Sequence, residues 1–430
     1  MVKKELLCWD WYEIGCTGND IDLAYNSKSI SKKYRLMRRR LFHRRMNIKN
    51  KNMLLVIGNG FDRAHGMDTT YEDILHFIWG RINTNQVAKA LPLNNNDDIK
   101  LILRQPTETI RKNLMIKWGK ECKYSTERED YKNKIYQAIY KNDTILISHV
   151  TNYTLKFGNV WLTYFTKVLD NRDRMIGKGW IDFEEEIGRV ISTIEDVLLN
   201  KSQSVDTYVS KFFGNLLSDT ILLKEQILPI LKFDFLVFSL WMEEALKVED
   251  GKINQLQKLK LIKEQSSYIK AIISYNYTHT PDIYGLSSQI NFLHGELGKH
   301  NLVLGTSETL EDELENKYIE CAYFKKKYQL IRYRLGNKFK TIFSHNQNAK
   351  WDAMIYGHSL TPADKYSLSW LFTEAENGLF AGYIEIIRIY YYDDASYDQQ
   401  IANLIALIGQ ENVLKYVSEG RIEFLSLRNS

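Results

Sequence analysis

Apolar runs and amphipathic segments alternate along this chain of 430 residues, and the pattern becomes sharp near residue 53. Residues 53–57 are all apolar, and a run of that length is typical of a parallel strand buried on both faces. Residues 71–82 carry apolar side chains three and four positions apart, which predicts a helix. Thr70 and Asp73 resemble a capping box at the start of that helix. The pattern therefore predicts a strand, a tight turn and a helix in succession.

Helical periodicity dominates from residue 81 to about residue 265, and strand-like runs resume after that point. Residues 227–242 are strongly apolar but include Lys232 and Asp234, so we expect a buried helix rather than a membrane span. A further helix is expected at residues 401–417. Strands that alternate with helical segments indicate an α/β fold with a doubly wound, Rossmann-like parallel sheet. The later candidate strands are residues 271–275, 290–293, 302–304, 353–356, 383–391 and 421–427.

Charge and periodicity together suggest two parts. We interpret residues 52–430 as a Rossmann-like α/β domain in which residues 81–265 form a mainly helical insertion. Residues 1–51 form a basic extension with 13 basic and 5 acidic side chains, whereas the remainder has 45 and 48. Because the surplus positive charge lies in the extension, we do not expect a nucleic-acid surface spread over the whole fold.

The basic arm, residues 32–51, leaves three interpretations open. Its clustered Lys and Arg side chains favour a segment that binds nucleic acid or an anionic membrane surface. A solvated extension with no binding role explains the same composition. Translation that starts at Met46 or Met53 explains it as well, because the first strand pattern begins at Met53.

Composition narrows the class of protein further. Hydrophobic residues make up 44% of the chain, which excludes global disorder. The four cysteines are scattered and form no C-x-x-C pair, which argues against a zinc ribbon or a disulfide framework and favours a reducing, cytoplasmic location. No uncharged apolar stretch reaches about 18 residues, so no membrane span is expected. The sequence suggests no metal site.

Glycines and small polar residues follow four of the candidate strands. These clusters are Gly58-Asn59-Gly60, Asn276-Tyr277-Thr278, His294-Gly295 and Gly357-His358-Ser359-Leu360. In an open α/β sheet the ligand crevice lies beyond the carboxyl ends of the strands. If the sheet is parallel, all four clusters meet at one edge. This convergence predicts a ligand site there.

The first cluster has two interpretations. Gly58 and Gly60 can bring backbone N–H groups against a pyrophosphate, and the following helix N-terminus adds a favourable dipole. The third glycine, Gly66, does not stand at the spacing of the ordinary dinucleotide fingerprint. A tight strand-to-helix turn therefore explains the same glycines.

Three polar side chains are candidates for chemistry at this edge. His294 is either a hydrogen-bonded residue at a strand end or a general base that works near neutral pH. Asn276 cannot transfer protons, but its amide can orient a ribose hydroxyl or a water. His65 either lines the same cleft or serves packing.

The motifs resemble those of a known family. Ile57 to Asp62 in the first turn, with His65, Gly66 and Thr69 or Thr70, resemble the opening signature of the AbiH family of phage abortive-infection proteins. The later clusters, together with Asp364, resemble that family's later motifs in the same order. The resemblance covers about residues 53–428. It implies bacterial defence against phage by harming or arresting the infected cell.

A more distant resemblance connects the chain to sirtuin-like NAD-consuming domains. Gly58, Gly60 and Gly66 match their first-loop spacing, and Asn276 with His294 matches the separation of their Asn and His-Gly motifs. The late Gly-x-Ser of those domains is similar to the segment at residues 357–359. In that fold the Asn and His serve the NAD ribose at the bond that breaks, while the glycines hold the phosphates.

The chain also departs from the sirtuin-like pattern. Thr278 replaces the Asp that helps to recognise the nicotinamide amide, which leaves another nucleotide open as the ligand. Asn59 and Asp62 replace the usual small residue and Ser of the first loop. The paired cysteines that bind structural zinc in deacetylase sirtuins are missing, which argues against a peptide deacetylase.

The resemblance implies an enzyme that cleaves NAD to nicotinamide and ADP-ribose during phage infection. Asn276 would orient the ribose hydroxyl or a water, and His294 would act as the base. Two alternatives remain: a nucleotide sensor that signals to a partner, and a nucleic-acid effector that uses the basic arm. A phage trigger and a homo-oligomer are possible partners. The predicted ligand contacts are Gly58, Asn59, Gly60, Phe61, Asp62, His65, Gly66, Thr69, Tyr277, Thr278, Gly357, His358, Ser359 and Asp364.

Overall fold

A computed structural model describes eight stretches of the chain. They are residues 52–90, 125–170, 183–199, 206–217, 220–306, 319–335, 351–372 and 384–429. The basic arm lies outside the described residues.

Within the described stretches six strands pair side by side, and every pairing is parallel. Their order across the sheet is β3-β2-β1-β4-β5-β6, which is the order of doubly wound sheets that bind dinucleotides. The predicted α/β fold with a parallel sheet is confirmed. The strands are β1 Asn52–Ile57, β2 Ile269–Ser274, β3 Ile290–Phe292, β4 Trp351–Tyr356, β5 Ile384–Tyr391 and β6 Ile422–Ser426.

Helices follow or connect these strands. A short helical turn, Thr220–Leu222, and a π-helical turn, Leu223–Ile227, lead into the longest helix. The other helices are α1 Asn59–Ala64, α2 Tyr71–Ala90, α3 Thr126–Lys141, α4 Leu146–Phe157, α5 Val160–Asp170, α6 Phe183–Leu198, α7 Thr207–Phe213, α8 Leu228–Asp250, α9 Lys260–Gln265, α10 Ile319–Ala322, α11 Lys326–Arg332, α12 Lys365–Phe372, α13 Asp394–Ile408 and α14 Gln410–Ser418.

The central strand β1 is buried on both faces, as its uninterrupted apolar sequence predicts. Successive side chains of a strand point to opposite faces. Leu54 and Val56 pack in the cluster that includes residues of α12, α13 and α14, whereas Leu55 and Ile57 pack in the cluster that includes residues of α1 and α9. Each such side chain contributes about 1.5–3 kcal/mol by leaving water, so the register of the central strand is strongly specified.

The described elements between α1 and α9 are helical and pack around a second core. Helix α8 crosses this core and confirms the buried helix expected at residues 227–242. Its Asp234 is fully buried and accepts hydrogen bonds from the Tyr153 hydroxyl at 2.7 Å and from the Val160 N–H at 2.9 Å. These bonds satisfy the carboxylate, which is why an acidic residue is tolerated in the middle of an apolar helix.

The capping box at the start of α2 is confirmed. The Thr70 N–H donates to the Asp73 carboxylate at 2.9 Å, and the Asp73 N–H donates back to the Thr70 hydroxyl at 3.1 Å. Two N–H groups at the helix start are thus satisfied by side chains. The helix itself begins at Tyr71, as the spacing of apolar residues predicts.

Two predicted elements are wrong. Residues 302–304 form no strand, because the side chains of Leu302 and Leu304 enter the helical core while the Val303 N–H turns back to the His294 carbonyl at 2.7 Å. The single helix predicted at residues 401–417 is two helices, α13 and α14. They are separated at Gly409, whose φ of 84° lies in the left-handed region and ends a helix.

None of the described helices is both long enough and apolar enough to cross a membrane.

Candidate functional site

The four clusters of glycine and small polar residues meet at the carboxyl edge of the sheet. The Gly60 N–H donates to the Gly357 carbonyl at 2.8 Å, which joins the turn after β1 to the turn after β4. The Asn276 side chain donates to the Gly58 carbonyl at 2.9 Å and so adds the segment after β2. The Tyr275 ring contacts the rings of both His294 and His358, with centroids 5.1 and 4.3 Å apart. One edge of the sheet therefore assembles these residues, which are far apart in sequence.

The glycines of the first and last clusters allow two backbones to touch. A Cβ on Gly60 would lie 2.7 Å from the Gly357 Cα, and a Cβ on Gly58 would lie 2.7 Å from the Gly357 carbonyl oxygen. Gly357 itself has a φ of 67°, and a Cβ there would lie 2.2 Å from the Phe61 nitrogen. Contact between two turns is thus sufficient to explain why these positions are glycine.

The backbone donors of the first turn are engaged within the chain. The N–H groups of Gly58, Gly60 and Phe61 donate to the carbonyls of Tyr356, Gly357 and Gly58 at 3.2, 2.8 and 2.8 Å. These are the groups that would face a pyrophosphate in the dinucleotide interpretation. In this conformation the turn is held by its own hydrogen bonds, as the tight-turn interpretation expects.

Asn59, Thr69 and Gly66 stabilise the loop that follows α1. The Asn59 amide donates to the Thr69 carbonyl at 3.1 Å, and its carbonyl accepts from the Thr69 hydroxyl at 2.6 Å. Gly66 has a φ of 84° and follows the end of α1, where a side chain would be strained. These three residues fold the loop back on the start of α1.

Asp62 lies in a buried pocket of hydroxyl groups beneath the turn. Its two carboxylate oxygens accept hydrogen bonds from the Thr278 and Thr280 hydroxyls at 2.6 and 2.7 Å. Burial raises the pKa of Asp62 to about 6, although the hydrogen bonds from Thr278, Thr280 and Asn276 act in the opposite direction. Thr278 thus contacts a carboxylate of its own chain.

We expect the Asp62→Asn variant to remove a pH dependence of stability. Because the pKa of Asp62 in the folded chain is about 6, above its ordinary value of 3.8, the folded chain binds this proton more tightly than the unfolded chain. The carboxyl therefore favours folding at low pH, and that contribution is lost as pH rises from about 4 to about 6. The stability of the variant relative to the parent should rise across this window by up to about 3 kcal/mol.

Urea unfolding at several pH values between about 4 and 7 measures this difference. Asp68→Asn is the matched control, because it makes the same replacement at an exposed position six residues along the chain. Parallel stability curves for the parent and the Asp62→Asn variant would contradict the prediction.

Both ring nitrogens of His65 have partners within the chain. Its Nδ1 lies 2.7 Å from the Phe61 carbonyl, and its Nε2 lies 2.7 Å from the Tyr284 hydroxyl. A carbonyl only accepts, so Nδ1 carries the proton and Nε2 accepts from Tyr284. Burial lowers the pKa of His65, which favours this neutral form.

His294 lies buried against Asp364. Its Nε2 is 3.0 Å from one Asp364 oxygen, so Nε2–H donates to the carboxylate. Burial and the positive charge of Lys326 lower the pKa of His294, while Asp364 acts in the opposite direction. Among the described residues no hydrogen bond reaches its Nδ1. The ring therefore has the arrangement of a neutral histidine whose tautomer is set by a carboxylate and whose second nitrogen can accept a proton.

Lys326 completes the charge cluster around Asp364. Its ammonium lies 2.8 Å from Asp364 and 2.7 Å from Glu184 at the start of α6. Burial would lower the pKa of Lys326, but the two carboxylates raise it above its ordinary value. Burial would likewise raise the pKa of Asp364, but Lys326 and His294 hold it well below its usual range. The cluster is thus charged at neutral pH, and it ties the helical region to the sheet edge.

His358, Ser359 and Tyr277 surround this cluster. The His358 Nδ1 accepts from the Leu360 N–H at 2.9 Å, which leaves its Nε2–H facing the second Asp364 oxygen at 3.4 Å. Ser359 is exposed, and its carbonyl accepts from Asn403 at 2.7 Å. The Tyr277 hydroxyl donates to the Val303 carbonyl at 2.9 Å. These residues support the loops around Asp364 and His294.

The sequence pattern did not identify three residues of this edge. Lys326 belongs to a run of three lysines and Glu184 to a run of three glutamates, and such runs are typical of solvated helix faces. Thr280 follows the recognised Asn276-Tyr277-Thr278 cluster by two positions and gives no signal of its own. Only the folded chain shows that they contact Asp364 or Asp62.

Within the parts of the chain that are described, no group of three or more His, Cys, Asp and Glu side chains is arranged to hold a metal ion.

Fold and site together define a parallel α/β protein that carries a buried His–Asp–Lys cluster at the carboxyl edge of its sheet. A family model described as "Bacteriophage abortive infection AbiH" matches residues 54–378, more than half of the chain. The chain belongs to the AbiH family, which confirms the family predicted from the motifs and implies a role in abortive infection by bacteriophage. No curated protein and no solved structure matches the chain.

Proposed function

We propose that the chain hydrolyses a nucleotide in the cytoplasm of an infected cell, with NAD as the leading substrate. The observation that carries this proposal is the His294–Asp364 pair at the carboxyl edge of the sheet. Doubly wound sheets bind their ligands at this edge, and the strand order here is the one found in dinucleotide-binding domains. The candidate general base therefore lies at the edge of the sheet where a ligand crevice is expected.

His294 would activate the water. In NAD cleavage the bond between the ribose carbon and the nicotinamide nitrogen breaks, and neutral nicotinamide leaves an oxocarbenium-like ribose. Water forms the new carbon–oxygen bond and passes one proton to the His294 Nδ1, from which the proton reaches solvent. Asp364 contacts the opposite ring nitrogen. Because the pKa of His294 is lowered, the ring is neutral before the reaction and its Nδ1 is free of a proton.

The geometry revises the parts that other residues take in this reaction. Asn276 donates to the Gly58 carbonyl, so we assign it to bracing the two turns rather than to orienting the ribose. The engaged N–H groups of Gly58 and Gly60 remove the support for a backbone phosphate cradle in this conformation. The support for nucleotide hydrolysis therefore comes from His294 and Asp364, which would lie near the bond that breaks, and not from a phosphate-binding turn.

Incubating the purified chain with NAD should release free nicotinamide in a time-dependent manner. NADP, ATP and ADP-ribose, tested in parallel, report whether nicotinamide–ribose cleavage or another nucleotide reaction occurs. Cells that express the chain should lose NAD after infection, in step with growth arrest. The assay is repeated with extract of infected cells, which supplies the phage trigger. If none of these nucleotides then yields a product, the proposed activity is contradicted.

A nucleotide sensor is the second candidate, and the Glu184–Lys326–Asp364 contact favours it. A ligand at the sheet edge that changed the position or charge of Asp364 would disturb Lys326 and, through it, Glu184 at the start of α6. The change would thereby reach the helical region. Binding of NAD or ADP-ribose without product, together with altered protease sensitivity of the helical region, would support sensing over catalysis.

The nucleic-acid effector proposed for the basic arm rests on residues outside the described part. Phosphate-driven binding weakens steeply with salt. Loss of phage protection when residues 1–51 are removed would support that role, and unchanged protection would exclude it.

A further inference from the structure

A surface of tyrosines and basic side chains lies on the helical region, where α3, α8 and α11 meet. We call it the tyrosine surface; it consists of Tyr136, Tyr140, Lys232, Tyr328, Arg332 and Tyr333. The Tyr136 ring contacts Phe233 of α8 with centroids 5.7 Å apart. Arg332 and Tyr333 lie close enough to act on the pKa of Tyr136, which burial raises. Side chains from three separate helices thus lie near one another.

Two of the four tyrosines of this surface are exposed to solvent, and the other two are partly buried. Tyr140 is 91% exposed and Tyr136 is 42% exposed. The two residues are four positions apart on α3, so they lie on the same side of the helix, one turn from each other. An aromatic ring that is almost wholly exposed contributes little to folding through burial. Tyr140 therefore presents a free ring next to a partly anchored one.

The two cations of this surface contact a tyrosine ring and not a carboxylate. Lys232 and Arg332 lie over the Tyr323 ring, 5.0 and 5.9 Å from its centroid. In the described part of the chain, neither is ion-paired with Asp or Glu. Glu129, the carboxylate that acts on Tyr136, already pairs with Lys132 at 3.0 Å. The positive charge of the patch is consequently not neutralised by the chain itself.

Tyr323 lies beneath the tyrosine surface. It is buried, and both Lys232 and Arg332 lie over its ring. A buried ring is held in place by its packing, so the two cations share one fixed aromatic contact. Cations that are already held in place lose less conformational entropy when a ligand binds.

We propose that the tyrosine surface binds single-stranded nucleic acid. Proteins that bind single strands combine cations that follow the phosphate backbone with aromatic rings on which bases stack. Both features are present here, although the body of the protein carries no net positive charge. A duplex keeps its bases stacked inside, so exposed tyrosines favour a single strand. An acidic peptide would use Lys232 and Arg332 but leave the Tyr140 ring without a role.

The test uses the full chain and a labelled single strand of about twelve nucleotides, followed by fluorescence anisotropy at low salt. The basic arm is a second possible site for the strand. Both the parent and all variants therefore carry Gln at every basic position of the arm, which are Lys32, Lys33, Arg35, Arg38, Arg39, Arg40, Arg44, Arg45, Lys49 and Lys51. DNA and RNA strands are measured separately, with a duplex of the same sequence alongside.

Lys232→Glu with Arg332→Glu should weaken binding by at least about tenfold at low salt, because two phosphate contacts are lost and two like charges are added. Tyr140→Ala should weaken it by about fivefold or more through the loss of stacking. Tyr140 is almost wholly exposed, so that variant should fold and melt like the parent.

Lys260→Glu with Lys263→Glu makes the same charge change on α9 and serves as the control. The proposal is overturned if the arm-neutralised chain binds no single strand, or if the control weakens binding as much as the patch variant. Equal binding of the duplex, or equal competition by polyglutamate, would also overturn it in favour of simple charge attraction. None of these outcomes depends on whether the chain cleaves NAD.

Discussion

Replacing His294 by glutamine is expected to lower the proposed NAD turnover by about 10²- to 10⁴-fold, because the proposed reaction would lose its general base. Glutamine can still donate a hydrogen bond to Asp364, so the buried carboxylate keeps a partner and the fold should persist. His294→Ala should lower turnover to a similar extent but also destabilise the chain, because the donor to Asp364 is removed. Comparing the two variants separates catalysis from stability.

Nicotinamide release measures the rate of each variant, and thermal unfolding measures its stability. His149→Gln makes the same replacement on α4 of the helical region and should retain the parental rate. Protection against phage should decrease in the His294 variants in proportion to their rate of nicotinamide release. It should be unchanged in the His149→Gln control. If His294→Gln consumes NAD as fast as the parent does, His294 is not the base.

Replacing Lys326 by methionine should destabilise the chain by about 3–5 kcal/mol, because it removes the cation that pairs with the buried carboxylate of Asp364 and with the partly buried carboxylate of Glu184. A loss of this size is a large fraction of the stability of a typical protein. Adding Asp364→Asn or Glu184→Gln to the Lys326→Met variant removes one uncompensated charge. Each addition should therefore restore part of the loss.

Urea unfolding of the single and double variants gives the coupling energies directly. Lys327→Met is the neighbouring control, because it makes the same replacement at the next position, where the lysine is exposed. A loss below about 1 kcal/mol for Lys326→Met, or no recovery in the double variants, would argue against the charge cluster.

The Lys326→Met variant should also move the pH dependence of catalysis. Lys326 lowers the pKa of His294, so its removal raises that pKa. The base then becomes protonated at a higher pH, and the acid limb of the rate profile shifts toward neutrality. A merely structural role for Lys326 would lower stability without moving this limb.

Much of the sheet follows from local pattern. The apolar run of β1 predicted a strand buried on both faces because its side chains must satisfy two packing layers at once. Long or strongly apolar elements, such as α8 and β5, carry enough signal to be recognised alone. Residues 302–304 show the limit of this reasoning, because a short apolar stretch packs equally well as a strand or as an extended segment against helices.

Part of the candidate site follows from the same logic. Parallel strands end at a common edge, so the motifs after β1, β2, β3 and β4 had to approach each other once the sheet was parallel. The sequence alone indicated that His294, Asn276 and the glycines of the turns belong together, and it connected them with the AbiH family.

Only the tertiary structure decided what each of these residues contacts. The glycines lie where two turns touch, and their N–H groups bond to those turns instead of remaining open. From the sequence, Lys326 is expected to be solvated because it belongs to a run of three lysines. In the folded chain it is buried between Asp364 and Glu184. Periodicity records which face of an element is apolar, because burial of that face is a property of the element itself. A buried ion pair is a property of two distant segments, so it exists only when the fold brings them together.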